Sequence, residues 1–494
     1  MSVKRFSIGK LVAVLFVAAW VVVALLFAWR LIGHKSPSLP TDAKSLQIPE
    51  EEWYSLLFHG EKAGWVHNTY DELPSGGYRF KSTSLLKLQA LGTVQEANIF
   101  MDAEVNSDFK LKKFALDFSS AMQTIQVEGE VEGRKITYRL KSPNSRKPIE
   151  QTVTVKEPPS LTDMLGRYAA QQGLEVGQTF SVPSFDPITQ ASDSAEAEVL
   201  RKEKIDTGSG VVDAYVVSVK ILGMEMTSWM DEDGKVLKSD TPMGFTVVLT
   251  DKEEALSLDG SGKIDVVAAS AAPADKMIPD PRDLKYLKVK LRGVDDLEGL
   301  ALDGDDQSLD GDVLTVSIPE PRNGYRLPDN DPARAAERSP EPMIQSDNPE
   351  IIKVAREASR GATDSIDAAR NINRWVFKNL EKAGAFTLPS ALDVLETRKG
   401  DCNEHTQLFV ALARAVGLPA RVAAGVVYLN GAFYYHAWPE IWVGEDSGWV
   451  PIDPTFGQFP ADATHLRMVN GTLREQADIV RFVRRLKVDV VDFR

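Results

Sequence analysis

The chain has 494 residues, 43% of them hydrophobic and 26% charged, which excludes collagen-like and wholly disordered chains. Lysine and arginine number 57 against 71 aspartates and glutamates, a net charge of −14, and no basic block occurs beyond the extreme N-terminus, so nucleic acid is not an expected partner. Cys402 is the single cysteine, so no intramolecular disulfide and no multi-cysteine zinc site can form; the six histidines are too scattered to suggest a metal cluster, and no metal or other cofactor is expected.

Residues 1–10 carry Lys4, Arg5 and Lys10 and form an expected cytoplasmic N-terminus, whereas residues 11–29 carry no charge. As a helix that apolar run would extend about 28 Å, enough to cross a bilayer. A secretory signal peptide has a shorter apolar core and a small-residue cleavage site, but Arg30-Leu31-Ile32-Gly33 follows here, so residues 11–32 are expected to remain as an uncleaved single-pass anchor. The denser positive flank is N-terminal, which exports everything beyond about residue 33. In a bacterium this is an inner-membrane protein with its bulk in the periplasm. Residues 33–50, with Pro37 and Pro40 among small polar residues, read as a tether.

Residues 51–267 read as a β-rich domain, with strands expected at 53–58, 64–70, 78–88, 111–119, 125–131, 136–140, 195–202 and 211–222. Ser75-Gly76-Gly77 and Asp233-Gly234 mark turns, and residues 160–173 interrupt the strands with Leu161, Met164, Leu165 and Tyr168 at helical spacing. His59 and His67 lie among the aromatics of this region and are read as part of the packed strand faces. An Ala- and Pro-rich linker follows. Residues 282–320 form a small β-module of three strands with turns at Asp303-Gly304 and Asp310-Gly311, and residues 321–348 an extended connector. The acidic run 303–312 is read as solvated turns and not as a calcium loop.

From residue 349 to 494 the pattern changes to helices followed by strands. An amphipathic helix over 364–380 carries Ile366, Ala369, Ile372, Trp375, Val376 and Leu380 on one stripe. Asp401 and Glu404 have the form of a capping box, which puts Cys402 at the first position of a helix ended by Gly417 and Pro419. The partial positive charge of a helix N-terminus favours a thiolate there. Residues 421–428 form a strand, Asn430-Gly431 a two-residue hairpin turn, and 433–443 the returning strand that carries His436. A second turn between Glu445 and Asp446 sets His436 opposite Thr455 and places Asp453 two residues away on the same face. Cysteine, histidine and aspartate so arranged supply nucleophile, base and orienter for acyl transfer. His405, one turn after Cys402, is a rival base with no evident carboxylate beyond Glu404, which is read as a cap; Trp438 is read as a wall of the cleft. The N–H of Cys402 is one oxyanion donor, and the second is left open.

In order and spacing, GDCNEHTQLFVALARAVGLPARVAAGVVY, YYHAWPEIWV and GWVPIDPTFGQ resemble the core of the transglutaminase-like superfamily, relatives of papain-type thiol enzymes, across residues 390–458. The resemblance implies Cys402 as nucleophile, His436 as base and Asp453 as its partner, and likens the upstream β-region to the exported portion of long bacterial members. The fold class expected is α+β: a transmembrane helix, an antiparallel β-rich exported part, and a papain-like domain whose nucleophile-bearing helix packs on an antiparallel sheet. The function expected is hydrolysis of amide bonds in cell-envelope polypeptides through a thioester. Protein-glutamine cross-linking and a non-catalytic envelope scaffold are the alternatives, and the oligomeric state is left open.

Overall fold

The computed structural model describes residues 48–494 apart from 91–92, 121–123, 142–147, 187–190, 208–209, 222–223, 242–243, 260, 263, 266–268, 270, 295–296, 298, 383–389, 472–475, 477–478 and 480–484. Strict alternation builds the first half: in Lys135–Lys141 (KITYRLK) every second side chain is buried and those between are exposed. Such strands make one fourteen-stranded antiparallel sheet: β1 (Glu51–Phe58), β2 (Glu61–Glu72), β3 (Tyr78–Ala90), β4 (Thr93–Val105), β5 (Leu111–Ser120), β6 (Thr124–Glu132), β7 (Lys135–Lys141), β8 (Ile149–Thr154), β9 (Thr179–Asp186), β10 (Ala191–Asp206), β11 (Val211–Ile221), β12 (Met224–Met230), β13 (Val236–Asp240) and β14 (Phe245–Thr250). The spatial order runs from β8 back to β1, then to β14 and down to β9. Ile125, Ile136 and Tyr138 near one end of that order share a core with Phe180, Val199 and Val217 near the other, so the sheet curls around a common interior. Helix α1 (Leu165–Gln171), preceded by a 3-10 turn, fills that interior with Met164, Leu165 and Tyr168, where the helical spacing of 160–173 puts it. A short helix α2 (Lys252–Leu256), capped by Asp251, follows the sheet.

Beyond it, β15 (Ala272–Pro273) is an edge strand, and β16 (Tyr286–Arg292), β17 (Gln307–Asp310) and β18 (Val313–Ser317) form a small sheet with the turn at Asp310-Gly311. Its fourth strand comes from the far end of the chain, Lys487–Phe493, paired along β16. Four helices precede the last sheet: α3 (Pro349–Ala358), α4 (Ser365–Asn379), α5 (Ala391–Thr397) and α6 (Cys402–Ala415). Helix α4 buries Ile366, Ala369, Ile372 and Val376, while Trp375 sits at the edge of the stripe under the Arg398 guanidinium. Between α4 and α6, Glu381–Lys382 (β19) pairs in parallel with Lys399–Gly400 (β20). The last sheet holds β21 (Ala420–Leu429), β22 (Ala432–Trp442), β23 (Trp449–Pro451) and β24 (Leu466–Asn470), with β15 on its edge; the Lys487–Phe493 strand is β25.

Two expectations are corrected. Among the described residues the fold is mostly β, with 48% strand and 19% helix, and not the α+β fold expected. The excess is strand in stretches where small and charged residues blur the alternation, such as Thr93–Val105. Among the described residues no helix is long and apolar enough to cross a membrane, so neither the transmembrane helix of that fold class nor the single-pass inner-membrane location is met. Residues 11–32, on which both rested, lie outside the described residues.

Candidate active site

The site assembles where the start of α6 meets β22. Asp401 accepts from the Asn403 N–H (2.8 Å) while Glu404 reaches back to the Asp401 N–H (2.7 Å), the reciprocal capping box read from the sequence, and Cys402 is the first helical residue. The approach is tight enough to demand glycine before it: Gly400 has φ +156, and a Cβ there would sit 2.2 Å from the Glu404 Cβ. Thr406 then ties α6 to β22 by donating to the Ala437 carbonyl (3.1 Å).

On β22, Asn430 and Gly431 both adopt positive φ and close the β21–β22 hairpin, as the sequence implies. The next hairpin also keeps the expected register, with Glu440 opposite Pro451, but the ladder stops there. Asp453 therefore reaches His436 from a turn beyond the strand end, and their contact is direct: His436 Nε2 to Asp453 Oδ2 is 2.8 Å, both side chains buried. Asp453 Oδ1 accepts from the Thr455 and Phe456 N–H groups (2.6 and 3.0 Å). Burial alone would push this carboxyl up. The adjacent His436 and His465 outweigh it and hold the carboxyl well below the usual range, as expected for an anion with four donors. Phe456 stacks on His436 (centroids 5.1 Å apart, planes 13° apart), and the Arg282 guanidinium lies 4.8 Å from the Phe456 ring.

Cys402 is partly accessible, yet its thiol is not the low-pKa group the helix terminus suggests. Burial and then the Asp401 charge push it well up, with Glu404 and Asp453 adding to the shift and the Ala437 N–H opposing it. The capping box that fixes the cysteine thus surrounds it with carboxylates, which disfavour the thiolate. His405 is fully buried, with Nδ1 2.6 Å from the Asp401 carbonyl; burial pushes its pKa down, and its Nε2 has no hydrogen-bond partner, so it stands neutral and without a carboxylate to orient it. Trp438 is buried at the rear of His436 and His465, 6.0 and 5.1 Å from them between ring centroids.

Sequence reasoning missed His465, which lies 3.0 Å from the same Asp453 oxygen as His436, and Asp462, which flanks it. The only available sign was the spacing of Asp462 and His465 just after the Asp453-Pro454-Thr455 turn. Ligand atoms of His436, Asp453 and His465 lie within 4.8 Å of one another, a spacing that could hold an ion. Hydrogen bonds account for it without one, because both imidazoles direct a nitrogen at the carboxylate oxygen. His67 is placed elsewhere, 2.9 Å from Glu51 and stacked on Trp53 in the first sheet.

Residues 352–454 match the transglutaminase-like superfamily, and residues 106–250 match a family of proteins of unknown function, DUF3108. A protein-glutamine gamma-glutamyltransferase of Pseudomonas aeruginosa is 38% identical over 77 residues, 14% of this chain and 11% of the relative, so the match spans about a tenth of that protein. Among solved structures, a Cytophaga hutchinsonii protein described as a candidate cysteine protease is 18% identical over 43% of this chain and 86% of its own, with a TM-score of 0.29. A β-barrel-like DUF1849 protein of Brucella abortus is 11% identical over 41% of this chain and 95% of its own, with a TM-score of 0.32. Likeness at that level does not bear on activity. The helices and strands around Cys402 and His436 are a transglutaminase-like domain, as the motifs suggested.

Proposed function

We propose that this domain is a cysteine acyl-transfer enzyme acting on polypeptide amides. The observation that carries the reading is the 2.8 Å bond from His436 Nε2 to a carboxylate held by four donors, which orients the ring, while the N–H of the next strand residue, Ala437, faces the Cys402 thiol. In this reading His436 takes the thiol proton as Sγ attacks the amide carbonyl, then passes it to the departing amine. Asp453 keeps the ring in one tautomer and balances its charge. The Cys402 N–H stands at a helix N-terminus, where it can donate to the developing oxyanion. Water then resolves the thioester by the reverse sequence, with His436 as its base.

Water is preferred to an amine as acceptor because, among the described residues, the carboxylates around Cys402 are already engaged: Asp401 and Glu404 in the cap and Asp453 with histidines. Transfer to an amine is the second reading, favoured by the name of the Pseudomonas aeruginosa relative. The test offers a glutamine-bearing peptide together with a fluorescent amine. Deamidation or cleavage exceeding amine incorporation, and loss of both in Cys402→Ala, is the expected result. Dominant incorporation would make the enzyme a cross-linker, and turnover surviving in Cys402→Ala would end the thiol mechanism.

A further inference from the structure

We propose that His465 is a positioning residue of this site, a buried imidazolium that fixes Asp453 and through it His436. The proposal rests on the Cys402–His436–Asp453 reading above.

His465 is 1% exposed, and both of its ring nitrogens face oxygens that can only accept. Nδ1 is 3.0 Å from the backbone carbonyl of Asp462 and 3.5 Å from its Oδ1. Nε2 is 3.0 Å from Asp453 Oδ2. A carbonyl offers no hydrogen, and neither does an ionised carboxylate, so each nitrogen must bring its own and the ring carries a positive charge. Burial opposes that charge, but Asp462 and Asp453 together raise the pKa of the ring to about 9.

The surroundings isolate this cation. Asp462, behind it, is held by Arg282 (2.9 Å), Gln458 (2.9 Å) and Thr464. From β22 come His436, tilted at 5.6 Å between centroids, and the edge of Trp438; Phe456 closes the remaining side at 6.3 Å. The next charges along β24 and β22, Arg467 and Glu440, close on each other (2.6 Å).

Two consequences follow for His436. The fourth donor fixes the plane of Asp453 Oδ2, against which His436 Nε2 is aligned. The positive charge also offsets part of the Asp453 anion that faces His436. Removing the donor should therefore lower the rate at every pH. Removing the charge should move the acid limb of the rate profile upward.

The experiment follows acylation of Cys402 in the full chain by p-nitrophenyl acetate, read as the burst of p-nitrophenolate across pH, in the unaltered protein, His465→Ala, His465→Gln and His436→Ala. Glutamine keeps an N–H donor without the charge. His465→Ala should lower the plateau rate about 10- to 100-fold, the scale of one hydrogen bond to a charged group, and His465→Gln should restore it to within about threefold. The acid limb should rise by about one pH unit in both. Nitrogen-15 NMR of the unaltered chain should find both His465 nitrogens protonated at pH 7, a result that needs no variant to fold. Equal plateau losses in the two variants, no loss in either, or a neutral His465 would overturn the proposal. Unchanged acylation in His436→Ala would instead overturn the triad reading, leaving the NMR result to stand or fall alone.

Discussion

Two buried carboxylates, one in each half of the molecule, are built from similar parts and do different things. In the first sheet Glu52 accepts from Arg167 at Oε1 (2.6 Å) and from the Tyr54 and Tyr70 hydroxyls at Oε2 (2.8 Å each), and both Glu52 and Arg167 are 4% exposed. Burial pushes both tyrosines up, and the guanidinium does not titrate, so no donor in this cluster changes state near neutral pH. It staples β1 and β2 to α1. Asp453 is as thoroughly bonded, but two of its donors are imidazoles, and one of them, His436, has a second nitrogen to spare. In the proposed reaction the difference comes from the kind of donor, since burial and hydrogen-bond satisfaction are shared.

This contrast can be broken most sharply by deleting the nucleophile. Cys402→Ala should lower acyl transfer by about 10⁴-fold or more with only a small fall in the thermal unfolding temperature, because a single sulfur atom packed against the core is lost. Asp453→Asn should cost about 10³- to 10⁴-fold in rate, and unfolding by urea should also report a loss of about 1–3 kcal/mol as the two imidazoles lose their anion. Arg167→Ala is the mirror experiment. Leaving Glu52 buried and unpaired should destabilise the chain by about 3–5 kcal/mol, yet acylation per folded molecule should not move; a drop in that specific rate would mean the two halves are coupled.

Stability against pH sharpens the same comparison. His465, raised to about 9 in the fold, contributes fully below its unfolded value near 6.5 and loses that contribution as pH rises through about 9, on the order of 3 kcal/mol. Asp453 and Asp462 are held low, so their contribution is present above about pH 4 and is lost as pH falls further. Urea midpoints at pH 5, 7 and 9 should therefore decline on the alkaline side, and His465→Gln should flatten that decline. The smallest effect is expected from Glu404→Gln, which can still cap the Asp401 N–H: acylation within about threefold of the unaltered chain would fit a cap, whereas a loss near that of Asp453→Asn would make Glu404 a catalytic group.

What could be read from the sequence was local. The Asp401–Glu404 box closes within one helical turn, and the Asn430-Gly431 turn needs nothing beyond its own positive φ values, so both were legible. The register of the β22–β23 hairpin followed from its turn, but its end at Pro451 did not, and Asp453 meets His436 from an irregular turn that no alternation rule describes. His465 was hidden because its partner is twelve residues away across that same turn. The pairing of β25 with β16, which sets Arg292 opposite Lys487, joins segments far apart in the chain and leaves no local trace. The thiol was misjudged for a related reason: the helix terminus is a local feature, whereas the burial that chiefly overrules it is tertiary, with the charge of the neighbouring Asp401 adding to it.

In the proposed reaction His436 activates a neutral Cys402 thiol. Intact-mass analysis of the full chain after a brief exposure to p-nitrophenyl acetate at neutral pH tests this step. A single acetyl adduct is expected, mapped to Cys402 by peptide sequencing and forming at least about 100-fold more slowly in His436→Ala. An adduct on another residue, or equal rates in the two proteins, would contradict it.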